Sequence, residues 1–178
     1  ANHLLLKGYR VKYSKKRLWL MAHLFLQIPK ILKAIYHEHQ WLQKQQAYHT
    51  FDVIISDNRY GMFTKNAKSI FVTHQLCIQT PWRWTTSLVQ KIQYSWLQHF
   101  NECWVPDLSN KKNSLSGILA HPKTLPTIPV FYIGTLSRLF QTPRNISFPR
   151  FPFLVLISGP EPQRTLFEKM ISCLSLAV

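Results

Sequence analysis

Acidic residues are scarce in this chain. Seven Asp and Glu stand against 22 Lys and Arg over 178 residues, a formal net charge of +15. A field of that sign favours anionic partners, whether nucleic acid, acidic lipid headgroups or nucleotide phosphates. Cysteine is also sparse. Cys77, Cys103 and Cys173 make an odd number with no CxxC spacing, which argues against a zinc site and reads as three reduced, buried thiols in a cytosolic protein. Long apolar runs are missing. The longest, Leu18 to Leu26, is interrupted by His23 and is far too short to span a bilayer. No signal peptide is visible. No His, Cys, Asp and Glu group has metal-ligand spacing, no Ser/His/Asp arrangement is legible, and no short internal repeat occurs. The chain opens on Ala1 and ends within a helical pattern, so it is expected to be a piece of something longer.

What is present is enough to bury a core: 46% of residues are apolar and 13% aromatic. The length suits one domain, or one domain with part of another. The charge is uneven. Residues 141–178 hold Arg144, Arg150, Arg164 and Lys169 against Glu161 and Glu168, so +13 of the +15 lies in the first 140 residues.

Residues 9–14 read as a short strand. A long helical region follows to about Gln46, with Leu20, Leu24, Ile28, Ile31, Leu32, Ile35 and Leu42 as its apolar stripe. Pro29 is expected to kink it or start a second helix. Lys30, Lys33, His37, His39 and Lys44 fall on the other face, and the two histidines read as solvated. Two β-type runs follow, Asp52–Ser56 and Ser69–Thr73. Val53-Ile54-Ile55 and Ile70-Phe71-Val72 are apolar on both faces, the mark of a buried, mostly parallel sheet. Further strands are predicted at Glu102–Val105 and Val130–Ile133, with a helix over Thr86–Phe100. Leu139–Pro152 carries Pro143, Pro149 and Pro152 without periodicity, a linker signature. A new strand starts at Phe153, turns at Gly159-Pro160 and leads into a helix from about Gln163. The expected fold is α/β: a Rossmann-like parallel sheet flanked by helices over 1–140, a linker over 141–152, and the first β-α unit of a second domain over 153–178.

Ligands of open parallel sheets bind beyond the carboxyl ends of the strands. Asp57, Asn58, Arg59, Tyr60 and Gly61 fall at one such end, and His74 and Gln75 at the next. Gly61 would permit a close backbone approach or a positive φ, and Asp57 would either cap a following helix or act as a base. Ser158, Gly159 and Arg164 surround a strand-to-helix turn, where free N–H groups suit an anion.

Four patches in order carry a resemblance: SIFVTHQ (69–75), ECWVPD (102–107), VFYIGTLSR (130–138) and FPFLVLISGPEPQRT (151–165). Together they resemble the GT-B nucleotide-sugar glycosyltransferases, in particular the family 28-like group that includes the N-acetylglucosaminyltransferase of peptidoglycan lipid synthesis. The likeness covers roughly 51–168. The glycine-rich acceptor loop that usually opens such enzymes has no counterpart before Gly8, and most of the donor domain is absent. The resemblance therefore implies the middle of a longer enzyme, inactive as this fragment. It implies Arg138, Ser158, Gly159 and Arg164 on the donor diphosphate, and Asn58, Arg59 and Gln75 against the acceptor sugar. Asp57 and His74 would be the catalytic candidates. It implies a nucleotide-sugar substrate, UDP-linked, no metal and no separate cofactor.

It also implies a cytoplasmic protein, peripheral on an anionic membrane through the basic, Trp-containing region 15–44, with Trp82 and Trp84 nearby. Two other classes stay open: a basic nucleic-acid-binding module and a non-catalytic α/β module.

Overall fold

The computed structural model describes residue 6 and residues 17–80, 82–136 and 163–175, with backbone only for 17–25, 163 and 173–175. The expected strand over 9–14, the 141–152 linker and the strand from 153 lie outside these residues. The chain forms two compact units, one of residues 1–7 and 32–140, the other of residues 8–31 and 141–178.

The first unit is built on a four-stranded, wholly parallel sheet. Its strands are β1 (Val53–Asp57), β2 (Lys68–Val72), β3 (Glu102–Val105) and β4 (Val130–Tyr132), adjacent in chain order. Residues 32–46 of helix α1 (Arg17–Gln46) and helix α2 (Arg83–Leu97) flank it. This is the α/β, Rossmann-like arrangement expected from the buried apolar runs. Pro29 does not divide α1 into two helices. One lost hydrogen bond is tolerated where strong helix formers such as Leu, Ala, Lys and Gln lie on both sides.

The core sits on one face of the sheet. Phe71, Cys103 and Val105 cluster there with Leu76, Leu97, Phe100 and Ala120, and Val130 and Tyr132 pack against them. Strand side chains alternate between faces, and register puts Ile54 and Ser56 on that same side. Reading β1 as buried on both faces is wrong. Val53 is 47% and Ile55 60% exposed, while Ile54 and Ser56 are buried. The physical reason is position: among the described residues β1 lies at an edge, and its other face is open. β2 is interior, and Ser69, Ile70 and Phe71 are all buried.

From residue 26 onward the apolar stripe of α1 is narrower than its spacing suggests. Among its described side chains Ile35, Leu42 and Glu38 are buried, whereas Ile28 and Leu32 face solvent. His39 is not solvated either: it is half-buried, tilted against the Phe63 ring at 4.5 Å. Helix α3 (Gln163–Ser175) belongs to the second unit, and Leu166, Phe167 and Met170 on it are exposed.

Candidate functional site

The carboxyl ends of β1 and β2 emerge side by side, because Asp57 is in register with Val72. The Asn58 N–H donates to the Val72 carbonyl at 3.1 Å. Asn58 carries the positive φ of this turn, +52°. Asn adopts that left-handed conformation more readily than most residues because its short polar side chain can bond locally. Asp57 and His74 are exposed at neighbouring strand ends, with Asn58 half-buried and Gln75 exposed beside them. The Gln75 N–H bonds Thr73 Oγ1 at 3.0 Å, and its carbonyl accepts from Gln93 Nε2 at 2.7 Å. Four of the predicted residues therefore share one rim, with a carboxylate and an imidazole open to a ligand. No helix follows β1, so Asp57 caps none.

Arg59 and Gly61 turn the other way, toward α1. Arg59 Nη1 donates to Glu38 Oε1 at 3.0 Å, and Glu38 is 2% exposed. Arg59 Nη2 also reaches the Leu6 carbonyl at 3.4 Å. The Gly61 N–H donates to Glu38 Oε2 at 3.2 Å, and the Gly61 carbonyl lies 3.3 Å from His39 Nδ1. The close approach that needs a glycine at 61 is to this helix: a Cβ there would lie 2.2 Å from the Ile35 carbonyl oxygen. Glu38 was missed by the sequence reading. Its only signal was an acid within a basic helix, and its partners lie far along the chain.

At the end of β3, Asp107 is fully buried. Its Oδ1 accepts the Leu108 and Leu115 N–H groups at 2.7 and 2.9 Å. Its Oδ2 accepts the Ser114 hydroxyl at 2.7 Å and the Ser116 N–H at 3.0 Å. Burial alone would raise this carboxyl. The Ser114 hydroxyl and the three amides outweigh it and hold the group well below the usual carboxylate range. The Asp107 carbonyl also accepts from the Gly134 N–H at 3.2 Å, where φ is +77°, so the ends of β3 and β4 are tied together. Pro106-Asp107 before a Ser- and Asn-rich loop was the available signal for a loop-organising Asp.

A groove of about 370 Å³ opens beside the start of α2. Arg83, Thr86, Ser87 and Gln90 line it from the helix, facing Ile118 and Lys123. Trp82 supplies no side-chain cap. Instead its carbonyl accepts the hydroxyls of Thr80, Thr85 and Thr86 at 2.9, 2.8 and 3.2 Å. Neither His74 nor Asp57 lines this groove.

Cys77 and Cys103 are buried free thiols, and burial pushes Cys103 up to about 12. Such a thiol carries too little thiolate to serve as a nucleophile. Arg164 is exposed on α3 and pairs with Glu168 at 3.1 Å. Arg138, Ser158 and Gly159 lie outside the described residues. Among the described residues, no helix is long and apolar enough to cross a membrane. No protein-family model, curated protein or solved structure matches the chain.

Proposed function

We propose that this chain carries the acceptor-side half of a GT-B glycosyltransferase, together with the start of its donor-binding domain. The observation that carries the reading is the parallel sheet in sequential order, with Asp57, Asn58, His74 and Gln75 gathered at its carboxyl rim. Asp57 would take the proton from the attacking acceptor hydroxyl, with His74 beside it as a second proton-handling group. Asn58 and Gln75 would hold the acceptor by neutral hydrogen bonds. Arg59 would act through position, since its guanidinium binds Glu38 and fixes the loop that presents Asp57. Arg138, Ser158, Gly159 and Arg164 would meet the diphosphate of the nucleotide sugar and stabilise it as it departs. The protein would work on the cytoplasmic side, at or near a membrane.

The nucleic-acid alternative needs cations and aromatics together on an open sheet. The open face here does hold Trp104 and Phe131, but its charges offset one another: Lys68 pairs with Glu102 at 2.6 Å, and Asp57 stands on the same face. That favours the transferase reading.

Calorimetric titration of the full-length protein with UDP, GDP and their sugars tests it. Saturable binding of one diphosphate, weakened about tenfold by Arg138→Ala, is expected. Asp57→Asn should spare that binding and abolish transfer. Absence of nucleotide binding, with salt-sensitive binding of single-stranded RNA instead, would overturn the reading.

A further inference from the structure

The groove at the start of α2 holds polar groups that the transfer reading does not use. Arg83 lines it from the helix and Lys123 from the loop after β3. Among the described residues, neither side chain enters an ion pair or a hydrogen bond, and the side chain of Gln79, a third lining residue, is also unbonded. Ser87 and Gln90 are already engaged: the Ser87 hydroxyl donates to the Arg83 carbonyl at 3.2 Å, and Gln90 Nε2 to the Tyr94 hydroxyl at 2.8 Å. Three threonine hydroxyls compete for the Trp82 carbonyl, which has two lone pairs. Thr80 and Thr86, two of the three, line the groove. A hydroxyl there can turn to a bound oxygen without leaving that carbonyl bare.

Nothing acidic opposes these donors. None of the lining residues is an acid. Residues 74–136 contain two: Asp107, which is buried and bonded by four donors, and Glu102, which is paired with Lys68. A cleft lined by one sign of charge concentrates ions of the other sign. A guanidinium and an ammonium with hydroxyls beside them are the donors that a phosphate accepts from.

Size and lining narrow the ligand further. About 370 Å³ is the volume of a site for a small organic molecule, and a bare inorganic phosphate would leave most of it to water. Ile118 and Pro122 give it an apolar wall. No aromatic residue lines it, so it offers no stacking platform for the bases of a single strand.

We propose that the groove binds a small organic phosphate. Arg83 and Lys123 hold the phosphate with a threonine hydroxyl, the organic part rests on Ile118 and Pro122, and Gln79 bonds its polar groups. The donor diphosphate of the transfer reading is assigned to other residues, so this site stands whether or not the chain belongs to a sugar transferase.

The experiment is calorimetric titration of the full chain, at constant ionic strength, with phenyl phosphate, inorganic phosphate and phenol. Phenyl phosphate is expected to bind saturably and about fivefold more tightly than inorganic phosphate, and phenol not at all. The double variant Arg83→Gln, Lys123→Gln should weaken phenyl phosphate at least about tenfold. The double variant Lys44→Gln, Lys65→Gln has the same net charge and should lose less than about twofold. Ile118→Ser should weaken phenyl phosphate about threefold and leave inorganic phosphate unchanged. All the substituted positions are exposed, and circular dichroism checks that each variant folds. No saturable binding of phenyl phosphate would overturn the site. Equal losses in the two double variants would reduce it to diffuse charge and overturn it as well. Equal affinity for the two phosphates, unmoved by Ile118→Ser, would overturn the organic ligand. Sedimentation with phosphatidylglycerol vesicles separates a free phosphate from a headgroup. Vesicle binding lost in Arg83→Gln, Lys123→Gln, without saturable phenyl phosphate binding, would overturn the soluble ligand in favour of a lipid.

Discussion

The two faces of the four-stranded sheet could hardly differ more. One face presents Ile54, Phe71, Cys103 and Val105 to a core closed by Leu97 and Phe100. The other presents Val53, Ile55 and Phe131 largely to solvent, around the Lys68–Glu102 pair and a half-buried Trp104. Both faces are rich in apolar residues, yet among the described residues the second buries only Ile70 at its centre, on β2, and leaves the flanking strands open. All-parallel sheets are ordinarily covered on both sides. Composition therefore does not decide which face carries stability; the helices and loops packed on it do. The candidate site residues gather where the strands end, at the carboxyl rim of the sheet.

Substitutions matched across the sheet sharpen that contrast. Phe71→Ala, in the centre of the covered face, should cost about 4 kcal/mol in urea unfolding. A value near that of a surface change would mean the core is not where it is described. Gly61→Ala drives a Cβ into the Ile35 carbonyl and should cost about 3 kcal/mol, detaching the β1–β2 loop from α1. Chemical shifts confined to residues near 35–39 and 56–63 would check that the damage stays on the helix side.

Asp107→Asn should cost about 2 kcal/mol, because one of its two acceptor oxygens becomes an amide NH2 facing two of the four donors. The wild-type carboxyl is held below its unfolded value of about 3.9. Its contribution is thus present above roughly pH 4 and is lost as pH falls from there toward the folded value. Acid titration of unfolding should show that slope in the wild type and a weaker one in the variant. On the open face, Ile55→Thr should change stability by less than about 0.5 kcal/mol. A cost comparable to Phe71→Ala would show that something covers this face in solution.

Strand positions were legible because short, β-branched and aromatic runs bounded by polar clusters leave few alternatives. β3 was read at its observed limits, and β2 and β4 within a residue. Exposure was less legible. Val53-Ile54-Ile55 looks the same whether a strand is covered on one side or two, and only the position of β1 at the sheet edge decides it. At the rim, Asp57, Asn58, His74 and Gln75 could be found because each ends a strand or lies within three residues of its end. Arg59 and Gly61 were found for the same reason, yet their partner Glu38 lies on α1 and left no local mark. The groove was invisible for a similar reason: Arg83 and Lys123 meet only after the loop beyond β3 folds back beside α2.

The edge strand β1 carries a consequence for how the molecule meets its own copies. Among the described residues it has a neighbour on one side only, so its outer backbone groups are a template on which another strand could be laid. Its centre, Val53-Ile54-Ile55, is the kind of β-branched, uncharged segment that pairs with itself. Yet Asp52 and Asp57, both exposed, bracket it. Two of the seven acids in this strongly basic chain thus stand as gatekeepers at the ends of its most adhesive strand, where a second copy in parallel register would bring like charges together.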